Sequence, residues 1–217
     1  MSYIAKIADI TAGWIDDLSD PDFSKKLALG LKQLVESNDV TIILFRHSDL
    51  PTLEYFDDPM KGGSHNIDLF VKGAFLIDPF YLMATQKNKR GFFHFKEIMP
   101  SGFKQTEYYR TWYCNSGLKD EVGYLISLPN NDFINISLGR TGGLKSFTKK
   151  ELTLLADILP LIEKVCQCHW QQTNINDDPT NIRMRMQHSQ SELFYLFIDS
   201  LMSEEKYVEG DPLTNYM

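Results

Sequence analysis

The run Leu76-Ile77-Asp78-Pro79-Phe80-Tyr81 opens the stretch, residues 74–140, that decides the fold of this chain. Asp78 can accept backbone N–H groups as a helix cap and Pro79 fits the first helical position, so this pair predicts the start of a helix. Further along, aromatic residues crowd around single polar groups. That mixture suits a pocket for a small organic molecule, which needs apolar walls and a few fixed polar contacts. It also suits an aromatic-rich core that binds nothing.

The stretch closes with a predicted β-hairpin. Two apolar runs, at 122–128 and 133–138, flank the turn Pro129-Asn130-Asn131-Asp132. Further strands are predicted at 40–45, 52–56 and 92–95. Segments of helical periodicity lie between or beside these strands, at 3–18, 23–37, 66–75, 79–86, 103–115 and 148–165. We therefore expect an α+β fold with a central antiparallel sheet of about five strands and helices on its faces.

The composition is that of a folded, acidic domain. The chain has 217 residues, 43% of them hydrophobic, and a formal net charge of −7, which suits one domain of ordinary size with an appendage. A negative net charge is not typical of a compact DNA-binding domain. The N-terminus lacks the features of a signal peptide, and no apolar run approaches the ~20 residues that span a bilayer, so we expect a cytoplasmic protein.

No residue pattern indicates catalysis, a cofactor or a metal. Cys166, Cys168 and His169 lie in a helical segment, where residues two apart point to different faces. Asp120 and Glu121 are adjacent on an extended segment, so their side chains point to opposite faces and do not form an acid–base pair. We interpret both carboxylates as surface charges or caps. Phosphate-binding loops and nucleophile motifs are absent from the sequence, and we expect no enzyme.

Residues 20–170 resemble the N-terminal sensor domain of LuxR-type transcriptional regulators. The resemblance rests on four features: the Asp78-Pro79 helix start, Glu107-Tyr108-Tyr109 before Trp112, the Gly117-Leu118 break, and a hairpin that feeds a long helix. It implies a GAF/PAS-like α-β-α sandwich that senses a small apolar or amphipathic ligand, as in quorum sensing, and that dimerises. A GAF-like interaction module with a filled core and no ligand is the alternative.

The resemblance also implies a ligand site. In the homoserine-lactone receptors of this family, the aspartate of the Asp-Pro pair hydrogen-bonds the amide of the signal, a role that falls to Asp78 here. The other implied lining residues are Tyr81, Phe93, Tyr108, Tyr109, Trp112 and Ser137. Those receptors carry a Trp and a Tyr where this chain has His65 and Leu69. Because an unmade buried hydrogen bond costs ~1–3 kcal/mol, we expect a ligand other than a homoserine lactone.

We divide the chain into a ligand-sensing domain (1–170), a polar linker (171–180), a helical segment (181–202) and a tail (203–217). Within the helical segment, Ser189-Gln190-Ser191-Glu192-Leu193-Phe194 resembles the opening of the last helix in the DNA-binding unit of these regulators. An unrelated amphipathic helix is the alternative interpretation. A helix-turn-helix needs a scaffold that holds its reading helix in the major groove. We therefore expect no direct DNA binding by this chain, and action through homodimers or mixed dimers with intact relatives.

Overall fold

The computed structural model describes residues 3–46, 49–57 and 64–175, and the side chains of 64–66 and 171–175 lie outside this description. The described residues form one antiparallel sheet of five strands in the spatial order β2-β1-β5-β4-β3, with helices on both faces. The strands are β1 (Asp39–Phe45), β2 (Thr52–Phe56), β3 (Gly91–His94), β4 (Leu118–Ser127) and β5 (Phe133–Thr141). This arrangement confirms the α+β prediction.

Eight α-helices accompany the sheet among the described residues. They are α1 (Tyr3–Asp16), α2 (Phe23–Leu34), α3 (Ser64–Lys72), α4 (Pro79–Thr85), α5 (Phe95–Ile98), α6 (Glu107–Thr111), α7 (Lys149–Asp157) and α8 (Leu159–Ile175). Helix α8 therefore enters the segment that we predicted as a linker. The rest of that linker, the helical segment 181–202 and the tail lie outside the described residues. No helix in the described part of the chain combines the length and apolarity that crossing a membrane requires.

The predicted hairpin is present, with longer strands than expected. Asn130 and Asn131 adopt φ angles of 62° and 63° in its turn, a left-handed conformation that asparagine tolerates better than most residues. Strand β4 begins at Leu118 rather than at residue 122, so Asp120 and Glu121 belong to the sheet. This earlier start decides where their carboxylates lie.

The segments predicted as long helices are divided. Thr148 and Glu151 form the expected capping box at the start of α7. The helix then breaks at Ile158, two residues before Pro160, which lacks the N–H that a continuous helix would use. Similarly, the predicted helix 103–115 consists of two 3₁₀ turns flanking the short α6.

The sheet has two buried faces of different character, because successive side chains of a strand point to opposite sides. On one face, even-numbered apolar residues such as Ile42, Ile136 and Tyr124 form the main core with α1, α2, α7 and α8. The Tyr124 hydroxyl donates a hydrogen bond of 2.8 Å to the carbonyl of Leu155 and so fixes α7 to the sheet. On the other face, helices α3 to α6 cover odd-numbered residues, and an aromatic cluster lies beneath them.

A candidate ligand-binding cavity

A cavity of about 60 Å³ lies between the sheet and the helices α3, α4 and α6. Its polar lining residues are Asp39, Thr41, Asp78, Tyr108, Ser116, Glu121, Asn135 and Ser137. Its apolar lining residues are Ile43, Phe56, Ile67, Phe70, Trp112, Leu118 and Gly139. No lysine, arginine or histidine lies among these described lining residues. The site therefore combines aromatic and aliphatic walls with polar contacts that include three carboxyl groups.

The central strands form the floor of the cavity, and their pairing determines which residues lie side by side there. Thr41 lies opposite Ser137 in the β1–β5 ladder, and Ile43 lies opposite Asn135. In the β4–β5 ladder, Glu121 lies opposite Gly139. Since residues two apart in a strand share a face, these odd-numbered residues all project toward α3, α4 and α6. The sheet therefore presents a row of polar groups beneath the inserted helices.

Asp78 both caps helix α4 and lines the cavity. It is 4% exposed and accepts a hydrogen bond of 2.9 Å from the backbone N–H of Tyr81, so the predicted cap is present. It also accepts a hydrogen bond from the Tyr108 hydroxyl. Burial raises the pKa of Asp78 to about 6, although the hydrogen bonds from Tyr108 and from the α4 backbone oppose the rise. Asp78 therefore caps α4 and lines the cavity at the same time, and its contact with a ligand stays a prediction.

The wall above Asp78 is aromatic. Tyr108 follows the cap Thr106 in α6 and stacks on Trp112, with ring centroids 5.3 Å apart. Trp112 in turn contacts Phe70 of α3 at a centroid distance of 5.0 Å. Such tilted and offset ring pairs stabilise beyond the area that they bury, by about 0.5–1.5 kcal/mol each. The wall therefore holds the Tyr108 hydroxyl in a fixed position against Asp78.

Glu121 is the residue that the sequence interpretation placed wrongly. It is 7% exposed and lines the cavity, and Asp120 is 2% exposed, so neither carboxylate is a surface charge. The two do point to opposite faces. Asp120 accepts hydrogen bonds from the backbone N–H of Phe147 and from His94, both at 2.8 Å. Burial, aided by the nearby Asp78 carboxylate, raises the pKa of Glu121 well above its ordinary value.

The structure brings together four of the seven residues proposed for the ligand site: Asp78, Tyr108, Trp112 and Ser137. The other three lie beside the cavity and outside its lining. Tyr81 packs among Phe45, Phe75 and Phe133. Tyr109 packs edge-on against Phe103 at 5.3 Å, and Phe93 joins the same aromatic cluster from β3.

Helix α3 meets the cavity through Ile67 and Phe70. Leu69 lies on this helix outside the lining, and the His65 side chain lies outside the described residues. The α3 wall that the structure describes is thus apolar. Among the described side chains, this wall offers the cavity no indole or phenol hydrogen-bond donor.

The cysteine–histidine group near the end of α8 has a structural explanation. His169 hydrogen-bonds the carbonyl of Leu18 at 2.7 Å and stacks on Phe23 at a centroid distance of 4.3 Å. Cys166 is buried, and its burial raises the pKa of the thiol. Across the described ranges, no group of three or more His, Cys, Asp or Glu side chains is placed to hold a metal ion.

Comparison with known sequences gives one informative relative. No family model matches the chain. A protein of Aeromonas salmonicida, described as an HTH-type transcriptional regulator in the exeN 3′ region, is 26% identical over 96 residues. The matched region covers 44% of this chain and 48% of that protein. The chain thus aligns with about half the length of this curated relative.

Comparison with solved structures identifies the fold. The VqsR ligand-binding domain from Pseudomonas aeruginosa matches with a TM-score of 0.64 and 24% identity, over 76% of this chain and 96% of that one. CepR2 from Burkholderia cenocepacia, an N-acylhomoserine-lactone-dependent LuxR-family transcription factor, matches with a TM-score of 0.54 and 11% identity, over 77% and 98%. A GAF domain/HD domain protein from Geobacter sulfurreducens matches with a TM-score of 0.50 and 14% identity, over 72% and 96%. The described residues therefore have the GAF-like fold of the ligand-binding domains of LuxR-type transcriptional regulators.

Proposed function

We propose that this chain is the small-molecule sensor of a LuxR-type transcriptional regulator, and that its ligand binds in the cavity beside Asp78. The observation that carries the proposal is the cavity itself, which joins apolar walls to fixed polar groups within the fold of a ligand-binding domain. Sites for small organic molecules have this composition. The cavity favours a sensor over a GAF-like interaction module, whose core would be filled at this position.

The alternative of an enzyme has less support. The carboxyl groups of the cavity have raised pKa values, which is a feature of some catalytic sites. However, no cysteine, lysine or histidine is present among the described lining residues to act with them as nucleophile or base. The comparisons also find regulators and their ligand-binding domains. We therefore favour binding over catalysis.

The regulatory output follows from the same proposal. A sensor domain controls transcription when ligand binding changes its pairing with a DNA-binding partner. The net charge of −7 disfavours direct contact with DNA by this chain alone. We propose that it acts as a homodimer or as a mixed dimer with related regulators, which co-purification of a tagged copy with an untagged related regulator would test. Recovery of strictly monomeric protein at micromolar concentration would contradict this part of the proposal.

The central experiment measures ligand-dependent stabilisation. Native mass spectrometry of protein purified from its own host would reveal a retained molecule as added mass, and thermal unfolding would follow its effect on stability. A ligand present at one hundred times its dissociation constant stabilises the folded state by about 2.7 kcal/mol.

A matched pair of variants locates the binding. Ser137→Leu places an aliphatic side chain on the cavity floor and should abolish the ligand-dependent shift. Ser127→Leu makes the same change at the exposed end of β4 and should preserve it. If no retained mass is found and no member of a chemically diverse library stabilises the parent protein, the sensor proposal fails.

A further inference from the structure

The cavity floor presents two hydrogen-bond acceptors that lack a partner within the described protein. They are Glu121 Oε2 on β4 and Asn135 Oδ1 on β5, and both atoms are buried. Their residues are only 7% and 6% exposed. Buried polar atoms in folded proteins nearly always have a hydrogen-bond partner. Two acceptors on the floor of one cavity therefore call for a molecule that donates hydrogen bonds there.

The acidic character of the cavity also favours a molecule that donates hydrogen bonds. Three carboxyl groups line it, those of Asp39, Asp78 and Glu121, without a basic side chain among the described lining residues. The titratable groups that interact with Glu121 are acidic or phenolic: Asp78 at the start of α4, Asp39 on β1, the adjacent Asp120, and Tyr108 and Tyr113 around α6. The Ser137 hydroxyl also hydrogen-bonds its carboxyl group and partly opposes the rise of its pKa.

Three basic side chains that contact neighbouring carboxylates are engaged away from the cavity floor. Lys32 pairs with Asp57 at 2.7 Å. His94 and Lys96 pair with Asp120 at 2.8 and 3.0 Å, and Asp120 projects to the opposite side of β4 from Glu121. Burial and mutual repulsion raise the pKa of Glu121, and burial, with Asp57 nearby, raises that of Asp39 to about 7. A cation on the cavity floor would offset the repulsion among these acidic groups.

The size of the space limits the group that reaches the floor. The cavity of about 60 Å³ is well below the ~150 Å³ of an apolar cavity that accommodates benzene. A short, unbranched group fits, with its polar end at Glu121 and Asn135 and its methylene groups against Ile67 and Phe70. An alkylammonium carries three N–H donors on such a chain.

We propose that the cavity selects a primary alkylamine, bound as its ammonium ion, which donates hydrogen bonds to Glu121 and Asn135. The inference rests on the proposed sensor function and specifies its ligand class. Where Glu121 is protonated before binding, the ammonium keeps its own proton and the Glu121 proton leaves to solvent. The bound state is then an ammonium–carboxylate pair, and one proton is released per molecule bound.

The test compares three probes of similar size on the full chain: butylammonium, butan-1-ol and butanoate. Titration calorimetry in amine-free phosphate at about pH 7.5 should show butylammonium binding at least about tenfold more tightly than butan-1-ol, with butanoate weaker still, because a buried carboxylate prefers an opposite charge. Glu121→Gln should weaken butylammonium binding by about tenfold and leave butan-1-ol within about twofold. The control Glu97→Gln removes the same charge from an exposed position on α5 and should change neither.

A second measurement holds even if Glu121→Gln folds poorly. In a weakly buffered solution kept at constant pH, binding of butylammonium to the parent protein should consume up to about one equivalent of base, whereas butan-1-ol should consume none. Equal binding of the alcohol and the amine, or amine binding without proton release and without any effect of Glu121→Gln, overturns the ammonium inference. Either result leaves the sensor proposal intact, because a small molecule still binds. If all three probes fail to bind, the inference is overturned, and the library and retained-mass experiments separately decide the sensor function.

Discussion

Replacing Asp39 by asparagine should stabilise the protein at neutral and alkaline pH. Asp39 begins β1 and lines the cavity. Its pKa rises from 3.8 to about 7, first because the half-buried carboxyl group is largely withdrawn from water and second because the Asp57 carboxylate lies nearby, while Lys32 and Thr41 oppose the rise. Below pH 3.8 the group is neutral in both the folded and the unfolded chain. As the pH climbs toward 7, the unfolded chain releases its proton first, so the folded state loses stability over this interval.

The magnitude follows from the pKa change. The difference between about 7 and 3.8 is about 3, and each pKa unit corresponds to about 1.4 kcal/mol, which gives a cost of about 4 kcal/mol above pH 7. Relaxation of the site and entry of water reduce this cost in practice. We therefore expect Asp39→Asn to raise the free energy of unfolding by about 2–4 kcal/mol at about pH 8, and to have little effect near pH 3.8.

Urea unfolding across this pH range, in amine-free acetate and phosphate buffers, measures the difference between variant and parent. The difference removes the contribution of all other titrating groups that the two proteins share. The control Asp9→Asn changes an exposed aspartate of α1 and should give a difference near zero at every pH. A pH-independent difference for Asp39→Asn, or a loss of stability at about pH 8, would refute the argument that this carboxylate is ionised at a cost.

Three further substitutions test the geometry of the site and its supports, each by denaturant unfolding. Tyr108→Phe removes the hydrogen bond to Asp78 and should lower the free energy of unfolding by about 1–2 kcal/mol. The control Tyr109→Phe, whose ring lies outside the cavity, should lower it by under about 0.5 kcal/mol. Equal losses of stability in the two variants would contradict the contact between Tyr108 and Asp78. Gly123→Ala would place a Cβ 2.6 Å from Cε1 of the buried Phe80 ring and should cost about 1–3 kcal/mol. The same change at Gly143 meets open space and should be nearly neutral, and neutrality at both sites would show that the ring yields. Although burial raises the pKa of Asp120, hydrogen bonds from His94, Lys96 and the Phe147 backbone lower it overall. Asp120→Asn should therefore lower the free energy of unfolding by about 1–3 kcal/mol at about pH 7, and this loss should shrink as the pH falls below about 4. The change is opposite in sign to that expected for Asp39→Asn. A loss that stays constant with pH would exclude the ionic contribution.

Local chemistry made part of this structure predictable. The Asp78 cap and the Thr148–Glu151 capping box depend on residues within one helical turn, and both are present. The hairpin depends on a turn of asparagines between two apolar runs, and it is present as well. Each of these features is set by neighbours in sequence, so the sequence pattern was sufficient.

The cavity floor was only partly predictable. In β5, the residues Asn135, Ser137 and Gly139 alternate with isoleucines and a leucine, a period of two that indicates one apolar and one mixed face. The pattern does not reveal what covers the mixed face, because that depends on helices α3 to α6 folding back over the sheet. The apolar run of β4 begins only at residue 122, so the sequence pattern does not indicate that the Glu121 carboxyl group is covered by the helices.

The directions of the side chains in residues 103–115 were the hardest feature of the cavity to predict from the sequence. A continuous helix would have set the directions of Tyr108, Tyr109 and Trp112 by a single period. The chain instead breaks at Thr106 and at Trp112, which have β-region and irregular dihedral angles. Each break resets the direction of the side chains that follow. Tyr108 therefore faces the cavity while Tyr109 packs with Phe103.

The sheet with two unlike faces gives this architecture a useful freedom. The even-numbered side chains of the central strands belong to the larger apolar core, whereas odd-numbered ones supply the polar floor of the cavity. Substitutions can therefore change the side-chain chemistry on one face of a strand while the residues on the opposite face keep the domain folded. Changes to the cavity floor then require few compensating changes in the larger core, and one backbone can carry cavities of different chemistry.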